Sequence, residues 1–162
     1  MTLLTRSRTP LILAGIVVAA VAAAIAWVST GQAGPAKISD LRVTGAYVPQ
    51  PASPDVAAAY FTVTNSGDVP AVLTGVHTDV SDMSMMHENA GTTMSMLDVV
   101  TVPAHGTFTF SPGRYHIMIE SPARALRQGD HVALTLSFAK LGQIAVTAPV
   151  MPVGYRPPAR NP

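Results

Sequence analysis

Between Ser81 and Met96 the sequence reads SDMSMMHENAGTTMSM, five methionines and one histidine among small and polar residues. The chain has eight methionines, and six of them lie between Met83 and Met118. Methionine usually fills irregular gaps in apolar cores, but Ser, Asp, Glu, Asn and Thr surround these. A thioether is a soft, neutral donor, and soft donors select Cu(I) among biological metals. It needs no deprotonation before it binds, unlike a thiol, and it cannot form a disulfide. An exported protein that holds Cu(I) without cysteine would use methionine, with histidine as the borderline partner. A second segment, GRYHIMIE, carries His116 and Met118 two residues apart. On a strand those residues share a face, about 6.5–7 Å apart at Cα, close enough to serve one ion.

The elements that would position these donors are strands. If 83–88 and 93–98 pair as a hairpin around Asn89 and Gly91, facing depends on the parity of the loop. An even loop such as Asn89 to Thr92 sets His87 opposite Met94 and Met85 opposite Met96, so that His87, Met94 and Met96 share one face. An odd loop turns His87 away, and a bulge reverses either outcome.

Each candidate has a plainer reading. Met86, with parity opposite to His87, reads as a packing residue, as does Met151. His77, His105 and His131 read as surface histidines, His105 in the turn PAHGT. His87 and His116 differ from them because each has methionine beside it. Methionine-rich patches also form adaptable protein-binding surfaces, which is the non-metal alternative.

The remaining chain sets the context. Leu11 to Val28 is apolar without interruption, preceded by Arg6 and Arg8 and followed closely by a tether, TGQAGPAK, over 30–37. The stretch is long enough to cross a bilayer as a helix. Its basic flank keeps the N-terminal side cytoplasmic, so the body is extracytoplasmic. A retained membrane anchor over residues 1–29 is expected. The alternative is a secretory signal cleaved near Ala33 or Ala36, although signal cores run shorter. The formal net charge is +1 and there is no cysteine. Without a basic run, nucleic acid is not an expected partner. Without cysteine there is no disulfide framework, lipid-bearing thiol, iron–sulfur site or blue-copper centre.

Residues 38–152 form the expected domain, and the proline-rich end, 153–162, is expected to trail in solvent. Period-two alternation runs through the domain. In HVALTLSFAK, Val132, Leu134, Leu136 and Phe138 point one way; in AAYFTVTNSG, Phe61 and Val63 do, before an Asn-Ser-Gly turn. The pattern predicts short strands near 40–47, 57–65, 70–78, 83–88, 93–101, 106–111, 115–119 and, as a pair, 132–149. SPARALRQGD offers at most one helical turn. The fold class is all-β, a Greek-key antiparallel sandwich preceded by one hydrophobic helix. No nucleophile–base arrangement or paired carboxylates stand out, so the chain is not expected to be an enzyme.

MMHENAGTTMSM followed by VPAHGTFTFSPGRYHIMIE resembles the exported copper chaperones of the PCu(A)C family, whose signature is H-x10-M-x21-H-x-M. AAAYFTVTNSGD and LRQGDHVALTLSFAKLGQIAVTAPV extend the resemblance over about 38–152. It implies a cupredoxin-like β-sandwich that binds Cu(I) through two His and two Met. It also implies a copper-accepting partner, either the CuA subunit of cytochrome c oxidase or an assembly factor for it. His87, His116 and Met118 match the signature directly, and the remaining ligand is Met96 or Met94. Here His87 to Met96 is H-x8-M and Met96 to His116 is M-x19-H, each two residues short; Met94 to His116 restores M-x21-H but shortens the hairpin by four. Met96 is favoured because MSM looks like the family's M-x-M with the second methionine as ligand, and Met85 lies near enough to assist. A copper-sequestering or resistance protein would present the same residues.

Overall fold

A computed structural model describes residues 40–157. The expected N-terminal helix, the tether and the last five residues lie outside the described residues. Among the described residues no helix is long and apolar enough to cross a membrane.

Ten strands make up the domain: β1 (Leu41–Pro49), β2 (Val56–Asn65), β3 (Ala71–Thr78), β4 (Met83–Ala90), β5 (Thr93–Leu97), β6 (Val100–Val102), β7 (Gly106–Phe110), β8 (Tyr115–Glu120), β9 (His131–Phe138) and β10 (Gly142–Met151). The strand expected over 93–101 is two strands, because the chain leaves β4 at Asp98 and joins β3 instead. No helical turn forms between Ser121 and Asp130; Leu126 from that segment is buried in the core.

One side of the domain runs β10-β9-β3-β6 and the other β5-β4-β8-β2-β1, with β7 also paired to β2. A short parallel ladder, Val48 with Val150 and Pro49 with Met151, joins the sides. That contact adds a short parallel ladder to the expected antiparallel architecture and makes the sheet a near-barrel.

The core is built from the inward residues of both sides. Val132, Leu134 and Leu136 on β9 are fully buried, as are Val63 on β2 and Ile117 and Ile119 on β8. Burying each such side chain stabilises the fold by about 1.5–3 kcal/mol. Asn65 ends β2 fully buried. Its amide donates to the Val69 carbonyl at 2.8 Å and its oxygen accepts from the Gly67 amide at 3.0 Å. The polar turn residue read from the sequence is therefore a satisfied structural pin.

Alternation also sets the facing of β4. Ser84 donates to the Val76 carbonyl of β3, and Met86 lies in the core at 4% exposure, the packing role expected of it. Met83, Met85, His87 and Asn89 consequently face outward. β4 and β5 are joined by only two residues, since Ala90 pairs with Thr93. Gly91 opens that loop at a φ of 65° and Thr92 stays outside the left-handed region, the sign pattern of a type II′ hairpin turn. A side chain at residue 91 would meet no atom within 4 Å, so the glycine is there for backbone conformation.

Gly91→Val should therefore strain the turn by about 1–2 kcal/mol without a clash. Amide exchange in β4 and β5 is expected to accelerate by about 5–30-fold, while exchange in β9 is unchanged; equal acceleration in both would refute a local role.

Candidate metal centre

The two-residue loop moves the hairpin register from the one expected. His87 pairs with Met96 and Asn89 with Met94, whereas a four-residue loop would set His87 against Met94. The shift is even, so the outward facing of all four is retained. On its other edge β4 pairs with β8, setting His87 against His116 and Met85 against Met118. Met96, His87 and His116 thus form one row across three adjacent strands, with Met118 and Met85 in the next. Met94 is diagonal to His87, one row the other way.

With His87 opposite Met96, Met85 does not lie opposite Met96 as the four-residue loop would have it; its partner on the other edge is Met118. The signal was in the sequence. Met85-x-His87 on β4 and His116-x-Met118 on β8 are reversals of one another, so antiparallel pairing of the histidines pairs the methionines as well.

The row is graded in depth. His87 is 7% exposed although it faces outward, His116 and Met118 are half-buried, and Met96 is 60% exposed. The two imidazole rings meet edge to face with centroids 5.6 Å apart. The His87 Nδ1 atom is buried and has no hydrogen-bond partner among the described residues. An orphaned buried polar atom costs about 1–3 kcal/mol, a cost that coordination of a cation at this nitrogen would offset. Among the described residues no three His, Asp or Glu side chains come together. The outward side chains beside the histidine pair are the thioethers of Met96, Met85 and Met118, a donor set that would fit a soft monovalent ion better than a hard divalent one.

Burial, and then the neighbouring His87, hold the His116 imidazole below its ordinary 6.5, opposed by a contact with the Arg114 backbone. His77 and His131 are exposed on the opposite sheet. His105, in its turn at a φ of 51°, pairs with Asp68 at 3.0 Å. None of these three joins the row.

The model of the family described as "Putative lipoprotein LpqE-like" matches residues 41–150, which include the whole row. The solution structure of CuI-DR1885 from Deinococcus radiodurans is 32% identical, with a TM-score of 0.56, covering 75% of this chain and 82% of that one. The chain belongs to the LpqE-like family. The PCu(A)C resemblance read from the sequence is borne out, and the cupredoxin-like fold with it. The apo PCuAC domain of PmoF2, 21% identical, superposes with a TM-score of 0.62 over 75% of this chain and 98% of that one. A copper-bound PCuAC domain from PmoF2 gives the same TM-score, 0.62, at 22% identity, over 74% of this chain and 99% of that one. Those two likenesses speak for the fold. No curated protein matches the chain.

The depressed His116 pKa has a stability consequence. Between the folded value and about 6.5 the unfolded chain binds the proton and the folded one does not. Stability of the metal-free protein should be complete above that window and fall as pH falls through it. Denaturation at a series of pH values should show this slope, and His116→Phe should flatten it; an equal slope in the variant would assign the effect elsewhere.

Proposed function

We propose that this protein is an extracytoplasmic Cu(I)-binding metallochaperone. It captures copper through His87, Met96, His116 and Met118 and hands it to a copper-accepting partner. The observation that carries this reading is the buried, unpartnered Nδ1 of His87, set in one row between a thioether and a second imidazole. The membership of the family and the copper-bound state of two of the similar structures support it.

Each residue has a distinct part. His87 supplies an inner nitrogen whose free lone pair costs stability until it is used. His116, kept neutral into mildly acidic solution, supplies the second nitrogen without first losing a proton. Met118, on the face of His116, and Met96, at the exposed rim, supply neutral sulfurs. Register favours Met96 over Met94, since directly opposed side chains have Cβ atoms about 4.5–5.5 Å apart and diagonal ones about 7–8 Å.

The recipient in this proposal is the CuA subunit of cytochrome c oxidase or an assembly factor for it. The apolar stretch Leu11 to Val28 would tether the domain, residues 38–152, on the outer side of the membrane. Hand-over, rather than storage alone, is favoured by the exposure of Met96, where an incoming ligand can enter before the inner donors release. A sequestering protein has no need of that access.

Anaerobic titration with Cu(I) against a chromophoric chelator, comparing the parent chain with His116→Ala and Met118→Ala, tests the reading. One tight equivalent, weakened at least ten-fold, or about 1.4 kcal/mol, by each substitution is expected. Failure to compete with the chelator would leave the methionine face as a packing or docking surface.

A further inference from the structure

A four-donor set does not need Met85, yet this residue stands where a donor would. It pairs directly with Met118, and it is diagonal to Met96 because Met96 pairs with His87. It is half-buried and takes no part in the apolar core, where Met86 packs instead. Met85 and Met96 line one cavity of about 140 Å³, which Asp98 also borders. Register therefore sets the Met118 thioether beside that of Met85, in a row about 6.5–7 Å along the strands from the histidines, and the Met96 thioether diagonal to it, each side chain unbranched with three rotatable bonds.

We propose that Met85, Met96 and Met118 form a second, thioether-only resting position for Cu(I), through which the ion leaves the protein. The proposal rests on the Cu(I) reading above. Met96 and Met118 belong to both positions, so the ion can move without being released. The bonds to the His87 and His116 nitrogens break as a bond to the Met85 sulfur forms. All the donors are neutral and copper remains Cu(I), so no proton or electron is transferred. In the second position the ion is held by soft neutral donors alone, at the exposed side of the hairpin, where a recipient's ligands can displace them one at a time.

The test uses the full-length chain in detergent micelles with methionine methyl groups labelled for NMR, together with stopped-flow transfer of Cu(I) to a chelator. One equivalent of Cu(I) should shift the Met85 methyl signal along with those of Met96 and Met118, and leave that of Met83 in place. Met85→Leu should keep one-to-one binding but release copper several-fold more slowly, while Met83→Leu releases it at the parent rate. A Met85 methyl that does not move, or a Met85→Leu variant that releases at the parent rate, would overturn the proposal. Loss of Cu(I) binding by the parent chain itself would instead overturn the reading it rests on.

Discussion

The pairing of β4 with β8 is the constraint on which the site depends. One register sets imidazole against imidazole and thioether against thioether. A slip of one residue would turn every donor of β4 into the core and bring Ser84, Met86 and Glu88 outward. A slip of two would keep the facing but break the His87–His116 contact. Several interactions hold the register. Met86 packs beneath the sheet beside Ile117, and the Asn89 amide donates to the Arg114 carbonyl at 2.7 Å. At the other end the Ser81 hydroxyl donates to the Glu120 carbonyl. The site is thus set from both ends and from below by residues that never touch a ligand.

The exposure of Met96 follows from the order of the strands. β8 is an inner strand, β4 lies between β8 and β5, and β5 is the free edge of its side. Donors become more exposed toward that edge, from His87 to Met96. A fully buried site would hold an ion firmly and exchange it slowly, and a fully exposed one would not exclude water from the imidazoles. An inner nitrogen pair with an outer sulfur combines selectivity with access. Methionine suits the rim because its sulfur stays neutral at every pH, whereas His116 brings a pH dependence.

Much of this was legible in the sequence because it rests on period two. The inward runs of β2 and β9, the outward facing of His87 and the inward facing of Met86 all follow from alternation. Register was less legible, because it depends on where a turn closes. Gly91-Thr92 closes a two-residue loop, whereas NAGT looks equally able to close a four-residue one. The break of 93–101 into β5 and β6 was hidden for a related reason: a strand that changes partner at Asp98 keeps an extended sequence. The parallel contact of β1 with β10 joins residues about a hundred positions apart in sequence and leaves no local signature. The reversed M-x-H and H-x-M triplets tie the pairing of Met85 with Met118 to that of His87 with His116.

The claim at the centre is that imidazole and thioether donors from β4, β5 and β8 meet at one copper ion. X-ray absorption on the Cu(I)-loaded chain addresses it most directly, because nitrogen and sulfur neighbours are separate shells in the spectrum. The account predicts a mixed first shell containing both imidazole nitrogen and thioether sulfur at a single copper. A first shell of nitrogen and oxygen alone, with no sulfur, would contradict it.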